Sequence, residues 1–388
     1  MKIMMIFIDM FRANILNMFN DNAPYTNIDN LFEQWGGTIY TNCYTPAPDT
    51  PRSNGCLWSG QYPKKNGCNT RIKYPKFYMT DPESSLLHEL LKNNYKFNFY
   101  IHEATRQIGE LPLGIDSVGN YSNGKLLEEY LSGLEIEENS LTYISLEDYH
   151  AVMYDYTATP KAVQIGNDKI ERSLKLIDQK LDIDTFDYII IFSDHGFKFE
   201  KDKVNMSIEQ QLDKDRTQIF MYLRKKGDNK LLKNNKLSAI IDIYPTVCDF
   251  INIKTSDEID GISLLSSKEH DYIMLEDHRE FNITLSQTIE YWGIVDRQGL
   301  SVMGTDGVWK SCYPAGSEVL DNYKQKMLKD LSFLKENLKA QEILDYYDNC
   351  LTKCPYYFDG ELRVKHYDKR HKAKMAVVNT FLKLMKVR

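Results

Sequence analysis

Five short runs of apolar, largely β-branched residues recur along this chain, at 3–8, 97–101, 141–146, 188–192 and 219–223, each bounded by polar segments. Runs this continuous suit strands buried on both faces, because a strand with one face in water alternates apolar and polar residues. Between them lie segments with helical spacing, clearest at 86–92, 162–181 and 237–251. Strands alternating with helices predict an α/β protein, with a doubly wound, mostly parallel sheet sandwiched by helices. Ligands of such sheets bind outside the carboxyl ends of the strands. The residues able to do chemistry fall there: Asp9 after the first run, Glu147, Asp148 and His150 after the third, and Asp194 and His195 after the fourth.

Beyond about residue 318 the pattern turns to long polar helical spacing with no further obvious strand, so the expected organisation is a catalytic domain at 1–318 and a helical, basic extension at 319–388. The chain carries a net charge of −7, yet residues 361–388 hold nine Lys or Arg against two acidic residues. An acidic body argues against a nucleic-acid binder. The first apolar run meets Asp9 after six residues, whereas the apolar core of an export signal needs roughly 7 to 15. No segment reaches the roughly 18 to 20 apolar residues of a membrane span, so a cytoplasmic protein is expected. Seven cysteines, an odd number with no matched pair of Cys-x-x-Cys type, point to reduced thiols rather than a disulfide framework or a zinc knuckle.

Asp194-His195-Gly196 closes the run DYIIIFS, and a carboxylate and an imidazole at a strand end, followed by a glycine that permits a tight turn, can face one cation. The same trio also suits a plain strand-end turn in which Asp194 caps the next segment. A second segment, residues 45–67, reads TPAPDTPRSNGCLWSGQYPKKNG. Thr50 stands ten residues before Gly60, and Ser59-Gly60-Gln61-Tyr62-Pro63 leads on to Gly67. This pattern resembles the alkaline phosphatase/sulfatase superfamily, in which a Ser, Thr or Cys nucleophile starts a short helix. The likeness extends through residues 87–116, ending Gly114-Ile115-Asp116, to IIDIYPTVCDFINI at 240–253 and DGISLL at 260–265. It covers roughly residues 1–310 in the family's order.

The resemblance implies that Asp9, Thr50, Asp194 and His195 hold one catalytic divalent metal and that Thr50 is a covalent nucleophile. The chemistry is consistent, since a threonine hydroxyl is a poor nucleophile until a cation lowers its pKa. A helix starting at Thr50 would also turn its N–H groups towards an anionic substrate. The competing reading of Thr50 is a simple helix cap before Pro51, and both can hold. One imidazole among carboxylates suggests zinc or manganese rather than calcium or magnesium. His150 is a candidate acid/base, and with His278 a candidate for a second metal or for substrate. Arg52 and Asn54 are candidates for binding substrate oxygens.

Departures from the sulfatase pattern bear on the substrate. Where sulfatases carry C-x-P-x-R, converted to formylglycine, this chain has Thr50-Pro51-Arg52-Ser53-Asn54, and threonine cannot become that aldehyde. The paired aspartates after the first strand are reduced to Asp9-Met10. The likeness therefore leans to the phosphoryl-transferring branches, the phosphodiesterases and the phosphoethanolamine and phosphoglycerol transferases. The expected activity is phosphoryl transfer or hydrolysis through a covalent Thr50 ester, drawing on a phosphorylated or nucleotide-linked donor, with a saccharide as one acceptor. Sulfate ester or phosphodiester hydrolysis, a mutase, and an inactive metal- or anion-binding protein stay open as alternatives. Residues 375–385 set Val377, Val378, Phe381, Leu382 and Leu384 among lysines, a pattern able to lie on an anionic membrane or to pack on the catalytic domain.

Overall fold

A computed structural model of the chain describes residues 1–68, 79, 81–102, 111, 112, 114, 115, 118–199, 212–282, 287–303, 309–311, 317–319, 321, 322 and 325. The chain divides into two units, Met1–Glu336 and Asn337–Arg388, and the described strands and helices belong to the first. The boundary expected at 318 and the amphipathic stretch at 375–385 fall at or beyond the edge of the described residues.

The main sheet contains β1 (Lys2–Ile8), β2 (Gly37–Tyr40), β4 (Lys96–Tyr100), β5 (Asn120–Tyr121), β6 (Ser140–Leu146), β7 (Tyr188–Phe192), β8 (Met221–Lys225) and β9 (Leu231–Asn234), with β3 (Cys43–Tyr44) apart from it. Its order is β5-β4-β6-β1-β7-β8-β2-β9. Strand β8 alone runs antiparallel to its neighbours, and every other pairing is parallel. Five of these strands lie on the five apolar runs, shifted by no more than two residues at either end. The central strand shows why the runs are continuous. Ile3, Met5 and Phe7 enter one core, and Met4, Ile6 and Ile8 enter a second, because successive side chains point to opposite faces and both faces are covered.

Helix α1 (Asn27–Trp35) packs on the second of these faces, through Ile28, Leu31, Phe32 and Trp35. On the first lie α2 (Thr50–Ser59), α3 (Pro63–Asn66) and α4 (Leu86–Lys92), with Leu57, Trp58, Leu86, Leu87 and Leu90 in the core. The second face also receives α5 (Leu127–Ser132), α6 (Asp148–Asp155) and α7 (Pro160–Leu181). A single turn of helix, α8 (Lys214–Thr217), precedes β8. The segment 237–251, expected to be helical throughout, instead gives β10 (Ser238–Ala239), which pairs with β3, then a 3-10 turn at Ile240–Asp242 and α9 (Ile243–Phe250). Pro245 explains the late start, since a proline is accommodated in the first turn of a helix and breaks its interior.

A second sheet lies outside the five apolar runs. Strands β11 (Ile273–Asn282), β12 (Gln287–Val295), β13 (Leu300–Met303) and β14 (Trp309–Ser311) form an antiparallel sheet in that order. It meets the nucleophile segment through the Glu276 N–H, which donates to the Pro46 carbonyl at 2.7 Å. Arg52, 1% exposed, ion-pairs with Asp49, with Asp277 at 3.1 Å and with Glu276 at 3.6 Å, and Arg216 binds the other Asp277 oxygen at 2.7 Å. Breaking such a buried cluster from one side leaves a charge uncompensated. Asp277→Ala is therefore expected to cost about 3–5 kcal/mol of stability, measured by urea unfolding. Among the described residues no helix is long and apolar enough to cross a membrane.

Candidate active site

Register puts the site together. In the parallel ladder Phe7 pairs with Phe192, so Asp9 and Asp194, each two residues further on, come level at the strand ends. Ile8 pairs with Leu146 on the other side, which places the start of α6, and with it His150, beside Asp9. Helix α2 is set by local chemistry. Asp49 caps the Arg52 N–H, Pro51 occupies the first turn, and Gly60 ends the helix in the left-handed region at φ +64.

Asp9, Asp194 and His195 offer ligand atoms that all lie within 4.8 Å of one another. The Thr50 hydroxyl is 3.4 Å from Asp9 Oδ1, and His150 Nδ1 is 2.6 Å from Asp9 Oδ2. Asp194 is completely buried. Its Oδ1 accepts the Met10 N–H at 2.9 Å and the His195 N–H at 2.8 Å, whereas Oδ2 has no hydrogen-bond partner. Met10 achieves this in the left-handed region at φ 62, a strained conformation for a side chain of its kind. His195 Nδ1 is tied to the Gly196 carbonyl at 2.7 Å, which leaves Nε2, 3.4 Å from Asp194 Oδ2, turned to the same point.

Electrostatics agree with a cation here. Burial, joined by the charge of Asp9, pushes the Asp194 carboxyl up to about 6 against the opposing effects of His195 and Thr50. Burial also acts to raise Asp9, but the hydrogen bond and charge of His150, with His195 and Thr50, outweigh it and hold that carboxyl below its usual value. Two carboxylates this close repel, and a bare buried carboxylate oxygen is costly. Asp9, Asp194 and His195 could hold a cation, which would offset both costs.

The structure thus brings Asp9, Thr50, Asp194, His195 and His150 together. For His278 it describes only the backbone, in β11 opposite Glu290. Arg52 lies in the buried ion cluster with its fork engaged by Asp49 and Asp277. The helix end offers less to an anion than its position suggested. Pro51 has no N–H, and the Arg52 N–H is capped by Asp49 at 3.4 Å. Two contributors escaped sequence reasoning, the Met10 N–H and Ser53, whose Oγ donates to the Asp194 carbonyl at 2.9 Å. Ser53 follows Thr50 by three residues, a spacing that shares a helix face and could have drawn attention to it.

Gly196 is where the turn after His195 passes closest to another backbone. A Cβ there would stand 2.2 Å from the Asp215 carbonyl oxygen. Gly196→Ala must move one of the two segments, so turnover is expected to fall about a hundredfold through displacement of His195, as measured by steady-state kinetics.

No family model matches the chain, and no curated protein matches it. Solved structures match across most of its length. A 2-O GAG sulfatase is 14% identical, with a TM-score of 0.65, covering 87% of this chain and 93% of its own. A protein in the alkaline phosphatase superfamily from Vibrio parahaemolyticus is 13% identical, with a TM-score of 0.58 and 87% of each chain covered. The phosphonate monoester hydrolase of Agrobacterium radiobacter is 11% identical, with a TM-score of 0.54, covering 86% of this chain and 95% of that one. At such identities the likeness speaks to the fold. The sheet, the helices on its two faces and these matches together give this chain the alkaline phosphatase/sulfatase fold.

Proposed function

We propose that the protein is a metal-dependent hydrolase or transferase of phosphoryl esters that works through a covalent ester on Thr50. One observation carries the reading: the Thr50 hydroxyl, at the start of α2, stands 3.4 Å from Asp9 Oδ1 and faces the buried Asp194 carboxylate, whose Oδ2 accepts no hydrogen bond and lies 3.4 Å from His195 Nε2. Asp9, Asp194, His195 and Thr50 would hold the cation, zinc or manganese by donor type. When bound, it supplies the Lewis acidity that makes a threonine hydroxyl nucleophilic near neutral pH and offsets substrate charge.

The remaining roles belong to the chain. Thr50 Oγ1 attacks the tetrahedral phosphorus, forming an ester bond as the bond to the leaving oxygen breaks. Asp9 lies within reach of the hydroxyl proton. His150, with 40% of its side chain exposed and Nδ1 bound to Asp9, is placed to give a proton to the leaving oxygen and to take one from the incoming water or acceptor hydroxyl. That second attack releases Thr50. A nucleotide-linked donor and a saccharide acceptor are the transferase form of this proposal, and water makes it a hydrolase.

Mass spectrometry of protein quenched during turnover of an aryl phosphodiester tests it. The expected result is an increment on the peptide containing Thr50 that corresponds to the phosphoryl group with its second ester substituent, one aryloxy group having left, with release of the aryl product faster when a saccharide acceptor is added if the enzyme is a transferase. Faster turnover of an aryl sulfate, with a sulfuryl increment, would assign the same site to sulfate esters. Turnover with no increment in either case overturns the covalent reading.

A further inference from the structure

The stripe of α2 that begins at Thr50 continues through Ser53 and Asn54, three and four residues on, which share one face of a helix. Ser53 shows where that face looks, since its Oγ donates to the Asp194 carbonyl at 2.9 Å and meets Thr45 Oγ1 at 2.8 Å. Asn54 is completely buried, yet neither its Oδ1 nor its Nδ2 has a hydrogen-bond partner. Buried amides are almost always satisfied, and leaving both ends of one bare is costly. Helical side chains lean towards the N-terminus of their helix, which directs the Asn54 side chain back along α2 towards the turn that opens at Thr50.

An unsatisfied amide at that position has a natural partner in a group that arrives only with the reaction. The geometry points to Asn54 as a catalytic residue whose Nδ2 donates to a non-bridging oxygen of the tetrahedral group while Thr50 holds it. The inference rests on Thr50 as the nucleophile. A neutral, pre-placed donor acts most strongly on the oxygen that gains charge as the bond to Thr50 forms, so its contribution falls on kcat rather than on KM.

The test compares Asn54→Leu, Asn54→Ala and Thr50→Ala in the full chain, with 4-nitrophenyl phosphodiesters as substrate and orthovanadate as a transition-state-like probe. Asn54→Leu removes two unsatisfied polar groups, so it is expected to melt no lower than the wild type. Its kcat is expected to drop about 10²- to 10³-fold with KM changed by less than about threefold, and vanadate inhibition to weaken by about 10²-fold. Should the larger leucine overpack the site, Asn54→Ala is expected to show the same loss of kcat. Retention of kcat in a folded variant overturns the inference. So does a lower melting temperature in both variants with vanadate inhibition unchanged, which would mark an amide satisfied by a structural water. If Thr50→Ala keeps full turnover, the nucleophile assignment fails and the inference with it, whereas loss of turnover in Thr50→Ala with kcat kept in the Asn54 variants overturns the Asn54 contact alone.

Discussion

Thr50→Ala is expected to lower turnover by at least about 10³-fold and to leave the fold intact. The side chain is half-buried, and its hydroxyl faces Asp9 and Asp194 rather than the apolar core. Alanine is a good helix former, and the features that start α2, the Asp49 cap and Pro51, stay in place. Circular dichroism and thermal unfolding should therefore match the wild type while the covalent increment disappears. Thr50→Ser keeps the hydroxyl and loses only a methyl group, so part of the activity should persist. An alanine variant with wild-type turnover would remove Thr50 from the chemistry, whatever the fold.

Asp194→Asn should be as damaging to catalysis, with a second effect of opposite sign. The amide oxygen can still accept the Met10 and His195 N–H groups, so the local structure should hold. What goes is the charge on the buried Oδ2, which accepts no hydrogen bond and faces His195 Nε2 at 3.4 Å. Elemental analysis is expected to find zinc or manganese in the wild type and background levels in the variant, with turnover down by about 10³-fold. In chelator-treated samples the order should reverse. Without a cation the wild type buries a charge next to Asp9, so the asparagine protein should melt at the same temperature or higher. Full metal content in Asp194→Asn would place the cation elsewhere.

The two variants probe features of different legibility. Asp9, Asp194 and His195 could be picked out in the sequence because each follows a strand with a strong local signature, and Thr50 because its segment resembles the nucleophile segment of the superfamily. The run at 188–192 matches its strand residue for residue, as does the helix at 86–92. Phe7 opposite Phe192 then brings Asp9, Asp194 and His195 into one place, and Ser53 Oγ on the Asp194 carbonyl ties the start of α2 to them. The antiparallel sheet carries no such signal. Strand β11 reads IMLEDHREFN, and four charged residues in ten look like a solvated segment. Glu276 and Asp277 are nevertheless buried, because Arg52 and Arg216 reach them from elements far away in the chain.

The sequence by itself determined the buried parallel strands, the helix start at Thr50 and the identity of the chemical groups at the strand ends. These follow from local forces: side-chain alternation against two covered faces, helix capping, and the φ of proline and glycine. Only the tertiary structure decided which of those groups work together. Arg52 and Asn54 sit two residues apart and looked equivalent, yet one is bound into an ion cluster and the other is buried with its amide unpartnered. That difference depends on which side of α2 meets β11 and which meets β7, and burial makes it matter, since a pairing nearly neutral in water becomes decisive once water is excluded.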